Sequence, residues 1–129
     1  MTPRVFLDAN VLFSAAWRDN AGVARLWQLP EFALVTSGFA VGEAERNLDT
    51  AERLARLAKL LAGVEIAAEA PEISLDGFEA LRDKDRPILQ AAIGANAGYL
   101  VTGDWRDFGP WLGGEVRGVR VRTPAAFLA

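Results

Sequence analysis

Arg4-Val5-Phe6-Leu7-Asp8, followed at once by Ala9-Asn10-Val11-Leu12, is the stretch on which the fold turns. Arg4 to Leu7 is a short β-type run that stops on a carboxylate. Asn10 to Trp17 then carries Val11, Leu12, Ala15 and Ala16 at helical spacing. A strand handing over directly to a helix is the start of a βα unit, and the same alternation recurs downstream. Phe32 to Val35 is a continuous apolar run of strand length bounded by Thr36-Ser37-Gly38. Phe39 to Asn47 reads as a helix. Thr50 is a suitable N-cap for the next one, which sets Leu54, Leu57, Ala58 and Leu61 on one face, with Arg53, Arg56 and Lys59 mostly elsewhere around it.

Further along, Gly22 to Leu29 reads as a short helix closed by Pro30, Val64 to Ala67 as a weak strand, and Glu69 to Asp76 as a loop. Asp85 to Ala97 predicts a helix with Pro87 in its first turn, where a missing N–H costs nothing, and Gly98 as its end. Tyr99 to Thr102 is the next buried-strand run, Gly113-Gly114 a turn, Val119 to Val121 a last strand and Pro124 to Leu128 a short terminal helix. Strands separated by helix-length segments mean a parallel sheet with helices on both faces, so the fold class is α/β.

Composition bounds the chemistry. The 129 residues form one domain, 1–129, large enough to bury a core unaided. At 51% apolar and 24% charged, the chain is not disordered. It has no cysteine and no histidine, which excludes disulfides, thiol catalysis, a Ser-His-Asp triad and any imidazole base. Lys59 and Lys84 are the only lysines, leaving twelve arginines among 14 basic residues against 17 acids, a net charge of −3. The opening apolar run is too short for a signal peptide and no window reaches spanning length, so a soluble, cytoplasmic protein with no membrane partner is expected.

In an open α/β sheet, ligands collect at the carboxyl ends of strands where strand order reverses. Asp8 and Asp104 both follow such strands. If the strands are neighbours, the two carboxylates share one crevice, and a divalent cation is the plausible neutraliser of their repulsion. Blander roles compete: Asp8 and Asp85 as helix caps, Asp104 as a turn residue, Glu43 as a solvated mid-helix acid.

Taken together, Phe6-Leu7-Asp8-Ala9-Asn10-Val11-Leu12, the Thr36-Ser37 pair ahead of Glu43, Asp85-Arg86-Pro87-Ile88-Leu89-Gln90-Ala91-Ala92 and Tyr99-Leu100-Val101-Thr102-Gly103-Asp104-Trp105-Arg106-Asp107-Phe108 resemble the PIN-domain nucleases. The ending Val121-Arg122-Thr123-Pro124-Ala125-Ala126-Phe127-Leu128 is also similar, so the likeness runs along essentially the whole chain. It is nearest to toxin components of bacterial toxin–antitoxin systems of the VapC type. The resemblance implies a three-layer α/β/α PIN-like fold around a central, mostly parallel sheet of four to five strands. It also implies a ribonuclease dependent on Mg²⁺ or Mn²⁺, with Asp8, Glu43, Asp85 and Asp104 as metal ligands and catalytic acids.

Asn10 and Asp107 would support that site. Glu45 competes with Glu43, but two residues along a helix turn a side chain about 200° away, so both cannot face inward; Glu43 is preferred for its spacing from Ser37. Arg46, Arg86 and Arg106, with Arg18 and Arg82, are candidates for RNA phosphates, each against a reading as solvated surface. Trp17 and Trp105 flank the site and can stack on unpaired bases, although packing is the commoner role; Trp27 and Trp111 show nothing beyond packing. An antitoxin protein and a second copy of the chain are the partners the family implies.

Two other readings compete with this one. A receiver-type phosphoacceptor domain also gathers aspartates around Mg²⁺, but by family comparison it needs a lysine late in the chain, and none follows Lys84. A PIN-like module that binds RNA or protein with little or no catalysis keeps the fold and drops the enzyme.

Overall fold

The structure, a computed structural model, describes residues 2–68, 86–104 and 108–129. The predicted loop at Glu69 to Asp76 and the side chains of Arg82, Asp85, Trp105, Arg106 and Asp107 lie outside the described residues.

Six strands form one sheet: β1 (Arg4–Leu7), β2 (Ala33–Ser37), β3 (Glu65–Ala67), β4 (Tyr99–Val101), β5 (Glu115–Val116) and β6 (Val119–Arg122), in the order β3-β2-β1-β4-β6-β5. All neighbours are parallel except β5 and β6. Val5, Phe6 and Leu7 are each fully buried although successive side chains on a strand point to opposite faces, so both faces of β1 are covered. The cover comes from α1 (Ala9–Trp17), α2 (Gly38–Asn47), α3 (Ala51–Leu61) and α4 (Arg86–Gly94), with a short terminal α5 (Pro124–Leu128) and a 3₁₀ segment, Gly22–Gln28, that replaces the short helix predicted there.

The expected sheet of four to five strands gains a sixth, β5. It is two residues long and joined to β6 by Arg117-Gly118, whose φ angles of 48° and 85° are what a two-residue type I′ hairpin turn requires. Two residues are too few to show a period of two, which is why the sequence pattern did not reveal it. The helix expected over Asp85 to Ala97 runs from Arg86 to Gly94 among the described residues, ending ahead of Gly98. Asn96 takes the left-handed conformation (φ 56°), and Asn96 N–H and Ala97 N–H donate to the Ile93 and Ala92 carbonyls. That is a Schellman closure with asparagine in the place glycine usually fills.

Strand order reverses beside β1. The chain passes β1, β2 and β3 in one direction, then crosses back to set β4 on the other side of β1. The register pairs Leu7 with Val101, so the residues following β1 and β4 emerge side by side at the carboxyl edge. The α1 helix packs against α2 and α3, and α2 and α3 start on the hydroxyl caps Ser37 and Thr50, which accept from Ala40 N–H at 3.2 Å and Arg53 N–H at 3.1 Å.

Candidate active site

Asp8 is fixed from three sides. Its backbone N–H donates to the Val101 carbonyl at 3.1 Å, and the Thr36 hydroxyl donates to the Leu7 carbonyl just before it at 2.8 Å, so both neighbouring strands hold the end of β1. As N-cap of α1 it takes an extended conformation and accepts from Ala9 N–H on Oδ1 at 2.6 Å. The Thr102 hydroxyl donates to Oδ2 at 2.8 Å, with the Asn10 amide 3.4 Å from the same oxygen. Capping and a role in the cleft are therefore compatible: one oxygen serves the helix and the other faces the loop after β4.

That loop is tied to the same residues. Gly103 N–H donates to Asn10 Oδ1 at 2.8 Å and Asp104 N–H donates to the Thr102 hydroxyl oxygen at 3.0 Å. A Cβ on Gly103 would come within 3.4 Å of Asn10 Oδ1, so a residue without a side chain lets the loop approach closely.

Asp8 is 4% exposed. Burial pushes its carboxyl up to about 6, the Asp104 and Glu43 charges push the same way, and the bonds from Thr102 and Ala9 oppose the rise. Asp8, Asp104 and Glu43 line one cleft of about 550 Å³, whose walls also include Ala9, Phe13 and Trp17 from α1 and Ala44 and Asn47 from α2. Glu43 is half-buried there, whereas Glu45 is exposed and lies off the cleft wall. Arg46 is exposed on α2 away from the wall, and Arg86 opens α4.

The donors fit a hard divalent cation. They are carboxylates, and the most buried of them carries a raised pKa that a nearby positive charge would lower. Among the described residues no three acids are grouped tightly enough to hold an ion on their own. An ion of the Mg²⁺ type retains several waters and takes only one or two carboxylates directly.

Several residues of the cleft were not singled out from the sequence. Phe13 sits four residues from both Ala9 and Trp17, so its helical phase could have placed it. Beside the cleft, Arg53, placed by the sequence off the apolar face of its helix, lies over the Trp17 ring with Cζ 3.3 Å from the centroid. Only the packing of α3 on α1 brings these two together. Trp27 is half-buried with its indole N–H donating to the Leu60 carbonyl at 3.0 Å, as a packing residue does.

An α/β domain with an acidic cleft at its strand-order reversal is the class these features define. The PIN domain family model matches residues 4–106, and the chain belongs to the PIN-domain family. Its members are generally nucleases that use a divalent metal. Among solved structures, a chain of VapBC2 from Rickettsia felis, bound to a DNA fragment from their promoter, is similar over 93% of this chain and 98% of that chain, with a TM-score of 0.63 and 15% identity. That likeness is one of fold. A search of curated proteins finds no match.

Proposed function

We propose that this chain is an endoribonuclease that hydrolyses RNA phosphodiester bonds with a carboxylate-held Mg²⁺ or Mn²⁺ ion, and that it is the toxin of a toxin–antitoxin pair. The observation that carries the reading is the buried Asp8 carboxylate facing Glu43 and Asp104 in an open cleft where strand order reverses. Asp8, Glu43 and Asp104, with Asp85, are the proposed ligands and catalytic acids; Asn10 and Asp107 support them.

When bound, the ion supplies Lewis-acid polarisation of the scissile phosphate and offsets the charge that builds there. The chain's own contribution is position. Thr102 and the Ala9 N–H hold the Asp8 carboxylate in one orientation, and Asn10 locks the loop that carries Asp104 against α1. In the proposed reaction water attacks the phosphorus in line and the 3′-oxygen leaves, giving a 5′-phosphate and a 3′-hydroxyl without the 2′-hydroxyl, a route that needs no histidine base. Arg46, Arg86 and Arg106 are assigned to the RNA backbone.

The similar fold of a VapBC2 chain supports an antitoxin as protein partner, and the family supports pairing with a second copy. No helix among the described residues is long and apolar enough to cross a membrane. The test is cleavage of labelled single-stranded and structured RNAs by the chain and its Asp8→Asn variant, with Mg²⁺, Mn²⁺ or EDTA. Metal-dependent cleavage giving 5′-phosphate ends, lost in the variant, is expected. No cleavage together with no metal binding by calorimetry would leave a non-catalytic binding module as the better reading.

A further inference from the structure

The cleft has two chemically different ends. Ala9, Phe13 and Trp17 stand at i, i+4 and i+8 on α1, so one stripe of that helix forms a wall about 12 Å long, running from beside Asp8 to an indole at its finish. Trp17 remains 39% exposed there, with the Phe13 ring centroid 5.1 Å away at a 42° tilt widening the apolar surface.

The indole is also braced. The Arg53 guanidinium lies 3.3 Å from its centroid, and it is held in place by Nε donating to the Trp17 carbonyl at 3.0 Å and by an ion pair with Asp49 at 2.8 Å. A ring immobilised before anything arrives gives up little further freedom on binding.

We propose that this end of the cleft is a stacking site for an unpaired nucleobase, with Trp17 as the platform and Arg53 as its brace. The inference rests on the nuclease reading and names the residues that would hold one base of its substrate. A flat neutral ring suits the surface better than an incoming arginine, because the indole already carries one cation. At this end of the cleft Asp49 is paired with Arg53, so the wall offers a base the apolar surface of Trp17 and Phe13, while the scissile phosphate belongs to the acids at the other end.

The experiment uses short single-stranded RNAs in which one nucleotide at a time near the cleaved bond is made abasic. In the wild-type chain, kcat/KM is expected to fall about tenfold at one position. Trp17→Ala should cleave the intact RNA at that reduced level and ignore the abasic change, while Trp17→Phe retains part of the sensitivity. Circular dichroism melts establish that both variants fold. A wild-type chain indifferent to every abasic position, or a Trp17→Ala chain as sensitive as wild type, overturns the proposal and leaves the nuclease reading standing. If the wild-type chain cleaves nothing, the nuclease reading fails, and anisotropy of the same labelled RNAs in Mg²⁺ decides stacking by the same comparison. An arginine-rich peptide whose binding depends on Trp17 while RNA binding does not would reassign the surface to a protein and overturn the proposal.

Discussion

The Thr102 hydroxyl donates to Asp8 Oδ2 at 2.8 Å, joining the two strand ends that bracket the strand-order reversal. The Thr102 hydroxyl oxygen in turn accepts from the Asp104 amide at 3.0 Å, so one fully buried side chain sets the spacing of two acids. Thr102→Val keeps the shape and removes both bonds. A hydrogen bond to a charged group contributes ~1.5–3 kcal/mol. The variant is expected to lose stability of that order at neutral pH, with the Asp8 carboxyl driven higher still. Urea melts at pH 7 and pH 4 check it, since the loss should shrink once Asp8 is protonated.

Asp8 itself works against the fold when ionised. Its value of about 6 lies above the ordinary 3.8, chiefly through burial, so the folded chain holds the proton more tightly than the unfolded one. Stability without metal therefore falls as pH rises from about 4 to about 6, and stays at the lower level above. Asp8→Asn should be the more stable chain at pH 7 in EDTA, by ~2–3 kcal/mol, with the difference closing toward pH 4. Added Mn²⁺ should raise the Tm of the wild-type chain and leave that of the variant unchanged.

Glu43 and Glu45 separate cleanly. Glu43→Gln is expected to lower cleavage at least 10- to 100-fold, the range typical of residues that orient or support a metal. Glu45→Gln, on an exposed side chain off the cleft, should cleave at the wild-type rate. Equal losses in single-turnover assays would contradict the assignment of Glu43.

Much of this arrangement was legible in the chain. Two β-type runs each followed by an aspartate were enough to expect one shared crevice, because a parallel sheet puts the carboxyl ends of adjacent strands together. Helical phase kept Glu43 and Glu45 from facing inward together, and the spacing from Ser37 favoured Glu43. The Trp17–Arg53 contact was not legible: the residues are 36 apart, and an arginine on the polar side of an amphipathic helix looks the same whether it meets water or an indole. Thr102 was read as the end of a strand, since nothing in its local sequence shows which carboxylate its hydroxyl will meet.

Arginines from α3 close the far end of α1, which has no basic residue in its own last turn. Arg56 Nε donates to the Ala16 carbonyl at 3.0 Å and its terminal nitrogen to the Trp17 carbonyl at 3.2 Å, joining Arg53 there. Positive charge beside exposed carbonyls is favourable at a helix C-terminus. Arg56→Ala should cost ~1 kcal/mol in chemical melts. Arg56→Lys should not restore it, because one ammonium cannot reproduce the forked geometry.

The sheet order has a consequence for the timing of synthesis. β1 leaves the ribosome first yet sits between β2 and β4, and β4 is made about ninety residues later. Asp8 and Asp104 cannot share a cleft until that distant strand docks, a long-range closure that is among the slower steps of folding. A nascent chain thus has no such cleft until β4 is in place. The proposed acidic centre therefore assembles only after β4 has been made and docked, giving any partner present at that moment the chance to meet it first.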